Sequence, residues 1–391
     1  MSVLFGVVLL DLIGFGIVIP ILPFLSPQLG ADKFDVALII VTYAVGAGLC
    51  GPLWGRLSDR IGRKPVIMIC LAGAAISYVM LGLASALWMV YVARGFAGLM
   101  AGNLGVASAM MADITRPENR ARGMGLIGSA FGLGLVLGPL LGGLLSGDQP
   151  GFAVPCAVAG VMSILAMIAA AVFLPESLAP EKLAANRAGQ RSGQTESVYG
   201  MLRNGGLRLL VLQFCLHSIC VSSLTYLFPL WAGDMLGWGP RQVGIVFGIQ
   251  GAIMVLVQGG LIGWLVDTLG ELNLLRIAVT AFVLGLFSAA FAQTMPVMVG
   301  SIFLAMTGGT LCMPLLNAIV SQRTDAASRG QILGTTGSVG SWGRVIGPLL
   351  AGGNLALFGY SAAWLGTTFI ALFYLAWCYR EYALHNKRQF P

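Results

Sequence analysis

Residues 36–64 read VALIIVTYAVGAGLCGPLWGRLSDRIGRK, an apolar stretch that passes directly into a charged one. The first part, 36–54, carries no charged side chain and is long enough to cross a hydrocarbon core of about 30 Å as a helix. The second part, 55–64, contains five charged residues and two glycines, a composition typical of a short loop. This stretch predicts a membrane-spanning helix followed by an aqueous loop.

The same alternation continues along all 391 residues. Hydrophobic residues make up 57% of the chain and charged residues 9%, against about 25% charged residues in soluble domains. The mean hydropathy is +0.88, and strand-like alternation is absent, so the sequence predicts an all-α membrane protein with twelve transmembrane helices. The predicted spans are 3–25, 36–54, 66–84, 87–112, 123–145, 152–174, 209–231, 243–266, 274–292, 296–320, 331–357 and 361–379.

The distribution of positive charge predicts the orientation. With the N-terminus in the cytoplasm, 18 of the 22 lysines and arginines fall in inner loops, the tail or, for Arg276, the inner end of span 9, whereas the outer loops hold Lys33 and Arg241. This asymmetry follows the positive-inside rule and predicts that both termini are cytoplasmic. It also explains the net charge of +7 without a nucleic-acid partner. The absence of a glycosylation sequon favours a cell inner membrane.

Residues suited to catalysis or metal binding are sparse. The two histidines, His217 and His385, are far apart in the sequence, and all seven cysteines fall in predicted spans, as is typical of packing residues. No Walker sequence is present. We therefore predict no enzymatic activity, no cofactor and no metal site.

An internal repeat divides the chain. GLVLGPLLGG from Gly134 recurs as GRVIGPLLAGG from Gly343, and GRLSDRIGR from Gly55 recurs as GWLVDTLGE from Gly263, at nearly the same offset. Between the copies, residues 175–206 are polar and predict a cytoplasmic linker.

The repeat predicts two pseudo-symmetric six-helix bundles, at residues 1–174 and 207–391, related by an axis along the membrane normal. In such an architecture the substrate binds between the halves, near the midplane.

Several segments resemble a known family. GRLSDRIGRK (55–64) resembles motif A of the major facilitator superfamily, and GLVLGPLLGG (134–143) resembles its antiporter motif C. DLIGFGIVIPILP (11–23) and SALWMVYVARGFAG (85–98) are similar to the twelve-span drug:proton antiporters, in particular the tetracycline-efflux group. The resemblance implies the major facilitator fold and alternating access in a monomer.

Motif A predicts a conformational latch at the cytoplasmic face. Gly55 and Gly62 permit a tight turn and close helix approach, and Asp59 is suited to accept hydrogen bonds from a helix N-terminus, which in the family is the start of span 11. The family also implies that Arg63 pairs with an acid at the inner end of span 4, here Asp113. The alternative is a set of independent solvated loop charges.

The second copy of motif A departs from the first. Asp267 matches Asp59, but Glu271 stands at the position of Arg63, and Arg323 stands near that of Asp113. We predict a polarity-swapped pair between Glu271 and Arg323.

Motif C predicts close helix packing. Gly134, Gly138 and Gly142 recur at four-residue spacing, Gly143 follows, and Pro139 bends the span. In the family this part of span 5 meets span 8 and accompanies exchange rather than symport, which implies an antiporter.

Three residues are candidates for proton coupling. Asp11 lies about 12 Å into span 1, where burial disfavours the charged form of a carboxyl; structural anchoring is the alternative to a proton or substrate role. Arg94 matches the motif B arginine, which in the family lines the cavity and influences proton release from a nearby acid. A buried ion pair is its alternative. His217 aligns with Asp11 and can titrate near neutral pH or serve as a simple hydrogen-bonding group.

Arg344 is the main clue to the substrate. A cavity-facing arginine favours a carboxylate, phosphate or other anionic group, although it can instead neutralise Asp11. The other predicted substrate contacts, beside Asp11 and Arg94, are Gln213, Gln250, Asn317, Tyr226 and Phe131. Ser77 stands where tetracycline exporters carry an acid, and span 9 has none, so tetracycline is not the expected substrate.

These features predict a proton-coupled antiporter in the lipid bilayer that exports an amphiphilic or partly anionic small molecule. The alternatives are an importer or uniporter of an anionic metabolite or metal chelate, which motif C argues against, and a receptor that binds without transport.

Overall fold

The protein is helical throughout the part that the structure describes. The computed structural model describes residues 1–116, 119–146, 151, 153–178, 205–324 and 329–389, where the regular elements are helices and turns. The helices of the first half are α1 (Ser2–Val18), α2 (Leu22–Leu25), α3 (Lys33–Ile61), α4 (Arg63–Gly82), α5 (Leu87–Leu99), α6 (Asn103–Ile114), α7 (Arg120–Leu145) and α8 (Ala153–Phe173). Those of the second half are α9 (Gly205–Leu236), α10 (Pro240–Leu256), α11 (Ile262–Leu269), α12 (Glu271–Phe291), α13 (Met295–Arg323) and α14 (Arg329–Gln389).

Eleven helical segments in the described residues are long and apolar enough to cross a membrane. Ten of them coincide with the first ten predicted spans, and the eleventh, Thr335–Ala383, covers most of the predicted span 331–357 and all of 361–379 in 49 residues. At 1.5 Å per residue it is about 74 Å long, more than twice a hydrocarbon core of about 30 Å. Its backbone leaves helical geometry at Gly359, where φ is 82° and ψ is −175°. Gly359 lies between the two predicted spans.

The chain falls into two compact units. The first comprises Met1–Gln194 and Gly237–Gly251, and the second comprises Thr195–Leu236 and Ala252–Pro391. Most of α10 therefore groups with the first half, which the predicted division at 175–206 did not anticipate. Of that predicted linker, residues 179–204 lie outside the described residues.

Two apolar clusters form the core of the first unit around Asp11. Leu12 of α1 packs in one cluster with Ile67 of α4 and Met110 of α6. Ile17 of α1 belongs to the second cluster. Asp11 lies on α1 among the positions that enter these clusters, so the surrounding fold fixes a polar residue in an apolar setting.

The glycines of motif C bring α7 into backbone contact with α1. A Cβ atom added at Gly16 would lie 2.9 Å from both the carbonyl oxygen of Gly134 and Cα of Gly138. One added at Gly138 would lie 2.8 Å from the carbonyl oxygen of Ile13. These distances leave no room for a side chain, and small residues allow such an approach between membrane helices. The partner of this glycine face is thus span 1, which the sequence did not predict.

Span 8 contacts the same motif through α10. A Cβ atom added at Gly244 would lie 2.6 Å from the carbonyl oxygen of Pro139 and 2.8 Å from Cα of Gly143. The contact between spans 5 and 8 that the family resemblance implied is therefore present, and it uses Pro139 and Gly143.

The second unit repeats the packing of α1 on α7 with α9 on α14. A Cβ atom added at Gly343 would lie 2.8 Å from the carbonyl oxygen of Cys215, and one added at Gly347 would lie 2.5 Å from that of Ile219. Ser222 donates its hydroxyl to the carbonyl oxygen of Gly343 at 3.2 Å. The internal sequence repeat therefore corresponds to a repeated helix packing.

Replacement of Gly138 by alanine tests the contact between α1 and α7. Overpacking costs about 1–3 kcal/mol, whereas alanine is otherwise favoured over glycine in a helix by about 1 kcal/mol. We expect Gly138→Ala to lower the thermal unfolding midpoint of the purified protein in detergent. The control is Gly128→Ala on the same helix, where the added Cβ meets no atom within 4 Å and the midpoint should not fall. Equal midpoints for the two variants would contradict this packing.

Candidate functional site

The carboxyl of Asp11 lies inside the first unit. The residue is 9% exposed and accepts a hydrogen bond from Nδ2 of Asn103. Within the described part of this unit, no lysine or arginine forms an ion pair with it. Both side chains border a small cavity whose other lining residues, among them Ile67 and Leu104, are apolar. Asp11 thus has an amide rather than a cation as its polar partner in this cavity.

Asn103 owes its position to an interruption of span 4. α5 ends at Leu99 and α6 begins at Asn103, with a turn between them. Nε1 of Trp54 donates to the free carbonyl oxygen of Leu99 at 2.7 Å, and Oδ1 of Asn103 accepts from the backbone N–H of Leu104 at 2.9 Å. Asn103 was not among the predicted site residues; the signal was an amide that follows a glycine in the middle of a mainly apolar span.

Arg94 lies on α5 and is 6% exposed. Its guanidinium carbon lies 4.4 Å from the centroid of the Tyr43 ring, a cation–π contact. Its Nε has no hydrogen-bond partner among the described residues. Arg94 therefore forms no ion pair with Asp11 in the described part of the unit. Its guanidinium lies instead against the aromatic face of Tyr43.

His217 lies on α9 in the second unit and is 5% exposed. Its ring centroid lies 6.2 Å from that of Phe282 and 6.0 Å from that of Tyr374. Nδ1 has no hydrogen-bond partner among the described residues. The surroundings are aromatic, and a share in proton coupling stays a prediction.

The predicted substrate contacts divide by burial. Gln213, Gln250 and Tyr226 are buried, whereas Arg344, Asn317 and Phe131 are exposed. Gln250 and Phe131 belong to the first unit and the other four to the second. The structure therefore spreads these candidates over both units, and their substrate role stays a prediction.

Two polar candidates of the second unit bond within their own helices. Nε2 of Gln213 donates to the carbonyl oxygen of Leu209 at 3.1 Å, and its Oε1 has no partner among the described residues. Arg344 donates to the hydroxyl of Ser341 at 2.8 Å. The exposed guanidinium of Arg344 is thus oriented by a neighbour one turn earlier on α14.

The first copy of motif A contains the predicted ion pair. Nε of Arg63 lies 3.1 Å from a carboxylate oxygen of Asp113, and NH2 of Arg63 lies 2.8 Å from one of Asp59. NH1 of Arg63 donates to the hydroxyl of Ser58 at 2.6 Å. Arg63 therefore joins the end of α3 to the end of α6.

Of the two glycines expected to permit the turn of motif A, Gly62 forms it. Gly62 has φ of 111° and separates α3 from α4, whereas Gly55 lies inside α3. This backbone conformation is one that glycine adopts without strain, so the turn falls at the second glycine of the motif.

Glu176 caps the start of α4 and was missed by sequence analysis. Its carboxylate accepts from the backbone N–H groups of Arg63 at 3.0 Å and Lys64 at 3.1 Å. An anion at a helix N-terminus is stabilised by the free N–H groups and the helix dipole. The signal was an acid directly after Pro175, at the point where span 6 ends.

The second copy of motif A lacks the predicted pair. Arg323 binds Glu381 of α14 at 2.8 Å, and no ion pair between Arg323 and Glu271 occurs among the described residues. Asp267 is exposed at the end of α11. The prediction of a Glu271–Arg323 pair was wrong, because the long C-terminal helix brings a nearer acid to Arg323.

A family model and several curated proteins match the chain. The model described as the Major Facilitator Superfamily matches residues 4–348 and 259–390. The class C tetracycline resistance protein of Escherichia coli is 30% identical over 373 residues, which cover 94% of this chain and 92% of that protein. The human major facilitator superfamily domain-containing protein 10 is 29% identical over 421 residues, which cover 96% and 90%.

Solved structures agree with these matches. The crystal structure of the human organic anion transporter MFSD10 has a TM-score of 0.73 at 25% identity and covers 96% of this chain and 98% of that one. A bacterial homologue of the human lysosomal transporter Spinster has a TM-score of 0.78 at 13% identity, with coverage of 97% and 95%, which shows the fold alone. These relatives are transporters and not enzymes. Because the family model and the full-length relatives match nearly the whole sequence, this chain belongs to the major facilitator superfamily.

Proposed function

We propose that the chain is a proton-coupled antiporter that exports an amphiphilic or partly anionic small molecule by alternating access. The observation that carries the proposal is the buried carboxyl of Asp11, bonded to Asn103 and free of any ion pair in the described part of the first unit. Ionisable groups inside membrane-spanning helices are costly, so they usually have a function.

The proposed cycle places the proton on Asp11. Uptake of a proton removes a charge from the hydrocarbon region, and its release restores that charge. A proton enters from outside onto Asp11, with His217 as a second acceptor, and substrate and proton use the transport pathway on opposite strokes. Arg94 contributes its positive charge to the transport pathway. The Arg63–Asp113 pair biases the protein toward the state that is closed at the cytoplasmic face.

The proposed topology has twelve spans in two six-helix bundles, with both termini in the cytoplasm and a monomer in a cell inner membrane. The length of Thr335–Ala383 and the interruption at Gly359 support two spans in this segment. The repeated glycine packing of α7 and α14 supports two related halves. The excess of positive charge in the predicted inner loops supports the orientation.

The proposed substrate class rests on Arg344 and on the relatives. An exposed guanidinium suits a carboxylate, sulfonate or phosphate group. One relative is named an organic anion transporter, and others are named tetracycline resistance proteins. Ser77, where tetracycline exporters carry an acid, argues against tetracycline itself as the substrate. Motif C and its tight packing support exchange, which argues against an importer or uniporter.

Asp11→Asn tests the proton role. The amide is close in shape but takes up no proton, so we expect loss of transport driven by a pH gradient while exchange of substrate across the membrane without a gradient continues. The probes are radiolabelled 2-naphthalenesulfonate, whose sulfonate stays ionised, and tetracycline, in proteoliposomes. Full gradient-driven transport in the variant would rule out Asp11 as the carrier, and binding without flux in the unaltered protein would indicate a receptor.

Exchange of the two charges of the Arg63–Asp113 pair tests the latch. Partly exposed ion pairs contribute up to about 1 kcal/mol, so Arg63→Asp alone should lower the transport rate about two- to fivefold or more. Adding Asp113→Arg should restore part of the rate, because the pair is re-formed with reversed polarity. Arg56→Ala, an exposed change in the same segment, is the control. No recovery in the double variant would argue against a latch made by this pair.

Arg344→Gln tests the anionic substrate. Loss of a charged hydrogen bond costs about 1.5–3 kcal/mol, so the KM for 2-naphthalenesulfonate should rise about tenfold or more. Arg344→Lys keeps the charge without the forked geometry and should have an intermediate KM. The KM for tetracycline serves as the comparison. An unchanged KM for the sulfonate in Arg344→Gln would contradict substrate contact by Arg344.

A further inference from the structure

The two ends of α6 contact two separate parts of the proposed machinery. Its first residue, Asn103, binds the carboxyl of Asp11, and Asp113 in its last turn binds Arg63. Ten residues of helix separate these positions, which corresponds to about 15 Å. One rigid element therefore connects the candidate proton carrier with the candidate latch, inside a single unit.

The side chain of Asn103 is held in one orientation. Its Oδ1 accepts from the backbone N–H of Leu104, so its amino group is the part that faces Asp11. An amino group donates and cannot accept. It therefore bonds most strongly to the charged carboxylate. A protonated carboxyl still offers its carbonyl oxygen, but that bond is weaker, and its O–H is a donor that this amide can accept only if it turns and releases Leu104.

No other polar side chain takes the place of Asn103 in the cavity beside Asp11, whose remaining lining residues are apolar. Two titratable groups on α4, Cys70 and Tyr78, lie within electrostatic reach of Asp11. A thiol and a phenol are normally neutral near neutral pH. Arg94 lies against Tyr43. A change of charge at Asp11 therefore acts most directly on its hydrogen bond with Asn103.

The interruption of span 4 separates α6 from α5. The turn at Met100–Gly102 lies between the helices, and Trp54 satisfies the last carbonyl group of α5. The helical hydrogen bonds of α6 are therefore separate from those of α5.

We propose that α6 transmits the protonation state of Asp11 to the Arg63–Asp113 pair, with Asn103 as the positioning residue at its start. The inference rests on the proposed proton-coupled function. Proton uptake at Asp11 changes the hydrogen bond to Asn103, α6 adjusts, and the geometry at Asp113 changes with it. Asn103 acts through Asp11 and does not bind the transported molecule.

A double-mutant cycle tests the role of Asn103. In Asn103→Leu, which is similar in size but lacks the amide, pH-gradient-driven transport of 2-naphthalenesulfonate should fall about tenfold, whereas exchange without a gradient persists. In the Asp11→Asn background the same change should have no further effect, because residues that act as a unit are not additive. Ser108→Ala removes a hydroxyl from α6 that bonds to Leu104 and should leave both activities unchanged.

Hydrogen exchange gives a readout that does not depend on proton-driven transport. At one fixed pH, Asp11→Asn should change deuterium uptake in the peptide 58–66, which contains Arg63. In Asn103→Leu, the Asp11→Asn change should no longer alter that uptake. If the unaltered protein shows no gradient-driven transport but this dependence is present, the proposed function fails and the link through α6 stands.

Three outcomes would overturn the inference. One is gradient-driven transport in Asn103→Leu equal to that of Ser108→Ala. Another is equal loss of driven transport and exchange, which indicates a structural role. The third is a change of deuterium uptake in the peptide 58–66 on Asp11→Asn that is the same with Asn103 present and in the Asn103→Leu background. If Asn103→Leu does not fold, Asn103→Ser, which keeps a donor, should retain more driven transport than Asn103→Ala.

Discussion

The backbone contact between α1 and α7 is the constraint on which the first unit depends. Gly16 and Gly138 approach so closely that neither tolerates a Cβ atom, and this fixes α1 against its neighbour. Asp11 lies little more than one turn before Gly16, so its depth and direction follow from the same contact. The second unit repeats the arrangement at Gly347, which explains why the glycine pattern recurs in both halves of the sequence.

Span 4, in contrast, is interrupted, and the interruption places Asn103 beside Asp11 as its hydrogen-bond partner. A continuous helix would use the N–H and C=O groups near residues 99–103 internally. The turn instead starts a new helix at Asn103, whose side chain is held by its own backbone and donates to Asp11. The same helix ends at the pair of Asp113 with Arg63, where Glu176 caps the next segment. Candidate proton site and candidate latch are therefore one connected structure.

Long apolar runs in the sequence predicted the helical class and ten of the spans individually, and the resemblance to the family implied the Arg63–Asp113 pair. The sequence did not predict that motif C packs on span 1, since the glycines of a helix face do not indicate which helix packs against them. Asn103 was missed because an uncharged amide stands out only once its neighbour is known. The internal repeat predicted that Arg323 pairs with Glu271. The repeat does not show how far α14 continues, and the observed partner, Glu381, lies in the C-terminal part of that helix.

The central claim is that a proton moves against the substrate. Its most direct test is proton flux in proteoliposomes that contain a trapped pH indicator, with 2-naphthalenesulfonate supplied on one side and no imposed pH gradient. The account predicts that the substrate gradient drives protons in the opposite direction and that this flux disappears in Asp11→Asn. Substrate flux with no accompanying proton movement, or proton movement in the same direction, would contradict it.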